Sequence, residues 1–186
     1  QIYTCVNLFR YAPVGKDHFQ YYSYGATCAE VELDALTGEY QISRVDIIFD
    51  CGESMNPAVD IGQVEGAFVM GIGYWMTEEL KFDPQTGQLL TNSTWEYKPP
   101  LGKDIPVDFR VNLLKNAPNP LGVLRSKAVG EPPLCMSCSV LFAAKHAVES
   151  ARQEIGQLDY FQLDGPATTE YLQRACLVNP AQLRIQ

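Results

Sequence analysis

Residues 22–50 read YSYGATCAEVELDALTGEYQISRVDIIFD, and this stretch carries the strongest signal of fold class in the chain. Two runs rich in β-branched and aromatic residues flank the segment ALTGE, in which Thr37 and Gly38 form a turn signal. Two such runs joined by a short turn pair as antiparallel strands. The stretch therefore predicts a long β-hairpin.

A second hairpin is predicted further along the chain. The segments EELKFD (78–83) and QLLTNSTWEYK (88–98) are joined by PQTG, where Pro84 and Gly87 are suited to a tight turn. Two long hairpins imply a sheet of at least four strands.

Between the hairpins, residues 56–80 read NPAVDIGQVEGAFVMGIGYWMTEEL and predict a helix. Apolar residues recur there at intervals of three or four, as one face of a helix requires, and Asp60 is expected to cap its start. Four glycines lie in the helix, and each costs ~0.8–1 kcal/mol relative to alanine. They indicate close packing against a neighbouring element or a ligand, and the pattern alone leaves both open. The glycines are Gly62, Gly66, Gly71 and Gly73.

The second half of the chain adds one strand and two helices. FRVNLL (109–114) alternates as a strand does, and VLRSKAV (123–129) is expected to be extended. A long helix is predicted from Leu134, with Pro133 at its first position and Gly156 as its stop, and TTEYLQRAC forms a short last helix. The sequence thus predicts an α+β fold with a mixed or antiparallel sheet of long hairpins packed with helices.

The composition excludes several classes of protein. The chain has 186 residues, 46% of them apolar, which is enough for one substantial core. Its net charge of −8 argues against nucleic-acid and anionic-membrane partners, which need a basic face. No apolar run of about 18 residues and no secretion signal are present, so we expect neither a membrane span nor export. Because the chain begins at Gln1, inside an apolar stretch, we expect it to be a fragment of a longer protein.

Six cysteines are scattered along the chain at positions 5, 28, 51, 135, 138 and 176, mostly among apolar residues. This spacing favours reduced, buried thiols in a reducing compartment over a disulfide framework. Cys135 and Cys138 form a single CxxC, without the further cysteines or histidines that would complete a metal site. Their spacing is also that of one helical face, so we interpret them as core residues and predict no metal ligands.

The segment KAVGEPPL (127–134) places Glu131 between a glycine and two prolines. Two consecutive prolines restrict the backbone, and peptide N–H groups at a helix start favour an ionised carboxylate. A general base needs both properties, because it has to be charged and held within reach of its proton. The residues alone leave two interpretations open: a catalytic base, or a charge that complements a helix dipole.

No other residue stands out as a partner for Glu131. Asp60 is explained as a cap, and the exposure of Glu65 is undecided, so a two-carboxylate hydrolase is neither favoured nor excluded. His18 and His146 are more typical of surface or packed histidines than of ligands. Neither a P-loop nor a dinucleotide-binding motif occurs in the sequence.

Several longer stretches, in order along the chain, resemble the molybdenum hydroxylase family of xanthine dehydrogenases and aldehyde oxidases. DIGQVEGAF (60–68) resembles that family's DIGQxEGAF helix, and KAVGE (127–131) resembles its KxxGE segment. TCAEVELDALTG and DCGESMNPA are similar to further family segments, so the resemblance spans residues 21–176. It implies that residues 1–186 are a C-terminal part of the molybdopterin-binding domain. Within it we expect an irregular lead-in (1–20), a core (21–177) and a tail (178–186).

The resemblance also implies roles for three residues. Glu131 matches the family's base, which deprotonates a hydroxyl on molybdenum so that its oxygen attacks an electron-poor carbon of the substrate. Gln63 matches the glutamine that hydrogen-bonds the pyranopterin, and Val129 lies where backbone contacts with that cofactor are expected. The FAD and the two 2Fe–2S clusters of full-length members are implied to lie outside this chain, as are the residues that line the substrate pocket.

The branch of the family is a separate question. The segments ESMNPAVDIGQVEGAFVMGIGYWMTEEL and YKPPLGKDIPVDFRVNLL resemble aldehyde oxidases of the insect type, whereas GEPPL is also the form seen in xanthine dehydrogenases. We therefore expect oxidation of aldehydes, with hydroxylation of purines as the alternative. A non-catalytic structural or dimerisation relative is a third possibility. The resemblance further implies a cytoplasmic homodimer, and we expect no turnover and no stable cofactor binding from the 186 residues alone.

Overall fold

The computed structural model describes residues 3–4 and 20–179 and has the predicted α+β fold. Four strands form one mixed sheet in the order β1-β2-β3-β4, in which the first two pairings are antiparallel and β3 runs parallel to β4. The strands are β1 (Tyr3–Thr4), β2 (Gly25–Leu33), β3 (Tyr40–Phe49) and β4 (Asp108–Leu113).

The first predicted hairpin is confirmed. Strands β2 and β3 pair along their full length, from Gly25 opposite Phe49 to Leu33 opposite Tyr40. In the turn between them, the Asp34 carboxylate accepts hydrogen bonds from the Leu36 N–H and the Thr37 hydroxyl, both at 2.9 Å. The chain then reverses at Gly38, whose φ of +76° is one that glycine adopts without strain.

The second predicted hairpin is wrong. Residues 78–98 contain a turn and one isolated bridge between Phe82 and Leu89, but no strands. The predicted turn is present, but the segments that flank it do not become strands because their side chains do not reach the core: Leu80 and Phe82 are 59% and 58% exposed. The sheet therefore obtains its other two strands from Tyr3–Thr4 and Asp108–Leu113.

Helix α1 (Pro57–Ile72) matches the predicted glycine-rich helix and continues into a π-helical turn, Gly73–Thr77. The prediction that Asp60 caps it is wrong. Asn56 is the capping residue, and its side chain accepts from the Val59 N–H at 3.4 Å. Asp60 lies one turn inside the helix and accepts a hydrogen bond from the Ser54 hydroxyl at 2.5 Å.

The second long helix begins later than predicted. Pro132–Ser137 forms a 3-10 helix with both prolines in its first turn, and helix α2 (Cys138–Glu154) follows. Gly156, with φ of +79°, lies just beyond the end of α2 as expected, and α3 (Thr169–Ala175) is the short last helix. The stretch 123–129, expected to be extended, starts with a 3-10 turn, Val123–Arg125.

The core lies between the sheet and the helices, with α2 against β2 and α1 against β4. Phe68 of α1 is fully buried, and its ring centroid lies 5.4 Å from that of Phe109 in β4. The largest fully buried side chains include Phe49, Phe68, Ile42, Ile47, Ile72, Met76, Met136 and Leu172. None of the helices in the described residues is both long and apolar enough to cross a membrane.

The cysteines agree only in part with the prediction of buried thiols. All five in residues 20–179 are free; Cys51 and Cys176 are buried, whereas Cys28 is exposed on β2. Burial raises the pKa of the Cys138 thiol, with a smaller contribution from Cys135. Cys5 lies outside the described residues.

Candidate functional site

The segments that carry the three predicted site residues meet at Gly130, where Gln63 and Glu131 are exposed and Val129 is buried. Gln63 lies on the outer side of α1, and Val129 and Glu131 flank Gly130 in the segment before the 3-10 helix. A Cβ atom placed on Gly130 would lie 2.9 Å from Oε1 of Gln63. The Gln63 carboxamide therefore packs directly against the Gly130 backbone, although 66 residues lie between the two in the sequence.

Helix α1 fixes the position of Gln63. Val64, Phe68 and Ile72 are completely buried and hold one face of the helix against the core. Gln63 is turned away from this face and is exposed. Its side chain makes no hydrogen bond to any of the residues that the structure describes. An amide in this position has its donor and acceptor available to a group outside the chain.

Glu131 directly precedes the 3-10 helix that begins with Pro132 and Pro133. Its carbonyl oxygen accepts from the Leu134 N–H at 3.0 Å, and Pro132 and Pro133 are buried. The carboxylate itself is exposed, does not cap the turn, and pairs with no side chain in the described part of the chain. The backbone at Glu131 is thus held while its carboxylate projects from the surface.

The position of Glu131 weakens the interpretation of its charge as a complement to a helix dipole. The element that follows it is a six-residue 3-10 helix, and α2 begins only at Cys138. Because the dipole effect falls off within one turn, α2 acts on this carboxylate weakly. A short 3-10 helix supplies little dipole of its own.

Two charged residues that the sequence analysis assigned no role meet beside this segment. Lys127 donates hydrogen bonds to the Asp50 carboxylate and, at 2.7 Å, to the carbonyl of Tyr22. The side chains of Asp50 and Lys127 are only 2% and 10% exposed. A lysine inside the KxxGE segment was the available signal, but nothing in the sequence identified Asp50, 77 residues away, as its partner.

The remaining candidates stay apart from this surface or serve other roles. Asp60 bonds Ser54, Glu65 is half-buried, and His146 is exposed on α2. His18 lies outside the described residues. Burial, followed by the nearby Asp60 carboxylate, raises the pKa of the Cys51 thiol, which disfavours the thiolate that metal binding requires. No cluster of three or more potential metal ligands occurs within residues 20–179.

The arrangement offers one exposed amide and one exposed carboxylate, in segments that meet at Gly130. An amide and peptide groups can bind a heterocycle with several donors and acceptors. A carboxylate on a restrained backbone can accept a proton from a group held beside it.

Comparisons with known proteins identify relatives of this chain. The profile of the molybdopterin cofactor-binding domain family matches residues 3–106. Xanthine dehydrogenase/oxidase of Gallus gallus is 51% identical over 159 residues, which cover 86% of this chain and 12% of that protein. This chain thus spans about an eighth of the length of that curated relative.

Solved structures agree with this result. Quinoline 2-oxidoreductase from Pseudomonas putida 86 matches with a TM-score of 0.73 and 28% identity, over 84% of this chain and 19% of that chain. Aldehyde oxidoreductase from Desulfovibrio gigas matches with a TM-score of 0.67 and 25% identity, over 86% of this chain and 16% of that chain.

Proposed function

The chain belongs to the molybdopterin cofactor-binding domain family, and on this premise we propose that it forms part of a molybdenum hydroxylase in which Glu131 is the base. The observation that carries the proposal is the contact of the Gln63 amide with Gly130, which brings the two motifs to one surface. An inactive relative has no chemical reason to keep both residues at one exposed point.

The residues present fit a pterin cofactor. The Gln63 amide packs over the backbone of Gly130 and is exposed, and it has no hydrogen-bond partner in the described residues. The Gln63 amide and the backbone at Val129 would hold the pterin.

When bound, the molybdenum cofactor would supply an oxygen derived from water and take up the two electrons that leave the substrate. Glu131 would be the proton acceptor beside it, because its carboxylate can take a proton from a group held within hydrogen-bond reach. The prolines that follow Glu131 limit the backbone motion of the residue that carries this carboxylate.

The substrate class is the finer part of the proposal. The relative that is 51% identical is named xanthine dehydrogenase/oxidase, and this favours hydroxylation of a purine or similar N-heterocycle. Oxidation of aldehydes is the second candidate, supported by the insect-type segments in 53–80 and 97–114 and by the aldehyde oxidoreductase among the matching structures. The flavin, two 2Fe–2S clusters, homodimeric state and cytoplasmic location remain predictions for the full-length protein.

A single substitution in the full-length protein tests this function. Glu131→Gln keeps the shape of the side chain but removes the proton acceptor, so we expect turnover of xanthine and of an aromatic aldehyde to fall by roughly 10²–10⁴-fold. Molybdenum content is measured in parallel and should not change. The better substrate of the wild type identifies the branch of the family.

The matched control is Glu170→Gln, at an exposed glutamate on α3. It should leave turnover unchanged. If Glu131→Gln retains full turnover, Glu131 is not the base and the proposed mechanism is wrong.

A further inference from the structure

A buried ion pair joins Lys127, in the segment that carries Glu131, to Asp50 at the end of β3, and neither residue has a part in the mechanism derived above. We propose that Asp50 and Lys127 are positioning residues, which fasten the backbone of the 127–131 segment to the end of β3 and thereby fix the location of the Glu131 carboxylate. This inference rests on the proposed role of Glu131 as the base.

The burial of this pair distinguishes it from the other ion pairs. In the other pairs among the described residues, both side chains are at least 40% exposed. The side chains of Asp50 and Lys127 are 2% and 10% exposed. Removing two charges from water is costly, and such a pair often contributes little to stability. A purely stabilising role therefore explains this pair poorly.

The Lys127 ammonium group is held on several sides. It donates to the Asp50 carboxylate and to the Tyr22 carbonyl oxygen, and it lies 5.4 Å from the centre of the Tyr24 ring. The other carboxylate oxygen of Asp50 accepts from the Gly52 N–H at 2.9 Å. The side chain of Lys127 thus connects its segment to the chain on both sides of the β2–β3 hairpin.

The backbone of the same segment has two further attachments. The Lys127 N–H donates to the Cys51 carbonyl at 2.8 Å, and the Ala128 N–H donates to the Tyr21 hydroxyl at 3.1 Å. These contacts lie three and four residues before Glu131. They restrain the chain where it enters the site.

On the other side of Glu131 the chain is held by α1. A Cβ atom on Gly71 would lie 2.0 Å from the Ser137 hydroxyl oxygen and 2.5 Å from the Leu134 carbonyl oxygen, so α1 touches this turn directly. Helix α1 also carries Gln63. Glu131 and Gln63 therefore lie on elements that contact each other. Helix α1 holds the chain after Glu131, and the Asp50–Lys127 pair holds the chain before it.

The test compares variants of the full-length protein. The double variant Asp50→Asn/Lys127→Met removes both charges together and so leaves no unpaired buried charge. We expect kcat to fall about tenfold to a hundredfold, as for other small displacements of a catalytic group, with KM and molybdenum content unchanged. In hydrogen exchange, the amides of Lys127 and Ala128 should exchange faster, whereas those of α2 should not. The control, Lys103→Met, removes a lysine from an exposed pair with Glu39 and should change none of these values.

The milder variant Tyr21→Phe removes only the hydroxyl that accepts a hydrogen bond from the Ala128 N–H. It tests the positioning role if the double variant does not fold. A fall in its kcat of about twofold to tenfold with faster exchange at Ala128 supports the proposal. Wild-type kcat in the folded variants, or loss of molybdenum with faster exchange throughout the chain, overturns it.

The outcomes also separate this inference from the proposed function. If Glu131→Gln is inactive while the double variant retains full kcat, only the positioning role is wrong. If Glu131→Gln is fully active, Glu131 is not the base, and the positioning role that rests on it is then also wrong, irrespective of the hydrogen-exchange rates.

Discussion

Gly130 determines how closely the two parts of the candidate site approach each other. Its φ is not one that requires glycine, so the backbone would accept another residue there. The reason for a glycine lies in its surroundings, because a Cβ atom would meet the Gln63 amide oxygen at 2.9 Å. Real Cβ atoms do not come this near to an oxygen, and the exposed amide would have to move.

We therefore predict that Gly130→Ala separates cofactor retention from stability. The flexible Gln63 side chain can swing towards solvent, so the free energy of unfolding should change by no more than about 0.5 kcal/mol. The displaced amide should bind the pterin less well, and the molybdenum content of the purified full-length protein should fall. Gly102→Ala is the control, since a Cβ atom there meets nothing within 4 Å. Equal molybdenum contents in the two variants would contradict the prediction.

At the residue scale, the sequence identified Gln63, Val129 and Glu131 because each lies in a long motif with a known counterpart. Their roles remain proposals; the structure shows only that Gln63 packs against Gly130, which lies between the other two. Asp50 and Lys127 could not be paired in advance, since the contact depends on how the end of β3 meets a turn 77 residues later. Local patterns contain no information on such a contact.

At the scale of elements, the glycines of α1 and of the π-helical turn after it divide into two kinds. Gly71 and Gly73 are buried against other parts of the chain, which is one of the two alternatives that the sequence left open. Gly62 and Gly66 are exposed, and a Cβ atom on either would have nothing within 4 Å. The first two allow close packing of α1. No contact among the described residues explains Gly62 and Gly66. We expect their face of α1 to be covered in the longer protein.

This division predicts opposite effects of two alanine substitutions in the isolated chain. In Gly71→Ala the new methyl group would collide with the Leu134 carbonyl and the Ser137 side chain, and we expect a loss of about 1–3 kcal/mol in the free energy of unfolding. In Gly66→Ala the methyl group meets no atom, and the higher helix propensity of alanine should add up to about 1 kcal/mol. Urea unfolding of both variants measures the difference. Similar losses in both would show that the helix tolerates no side chain on either face.

The hairpins show where prediction of elements succeeded and failed. Strands β2 and β3 follow from local pattern and a short turn, and both signals were present in the sequence. The predicted second hairpin also had a turn signal, but a strand needs pairing along its length and a core to cover. Phe82 has a single bridge to Leu89 and is 58% exposed. The parallel pairing of β4 with β3 joins distant segments, so a reading of local patterns could not establish it.

At the scale of the whole molecule, many large apolar side chains are exposed in this chain, among them Met70 and Tyr74 on and just beyond the outer face of α1, at 66% and 58%. The chain corresponds to about 12% of the length of its curated relative. We expect the rest of the full-length protein to cover this face.

The four methionines of the chain test whether the isolated chain keeps this fold and whether the outer face of α1 is covered in the full-length protein. Met55 and Met70 are 64% and 66% exposed, whereas Met76 and Met136 are 1% exposed. Peroxide oxidises accessible thioethers, so in the isolated chain we expect sulfoxide at Met55 and Met70 well before Met76 and Met136, as read by peptide mass spectrometry. In the full-length protein Met70 should become protected. Equal oxidation of all four methionines would mean that the isolated chain does not hold this fold, and rapid oxidation of Met70 in both forms would mean that the outer face of α1 stays open to solvent.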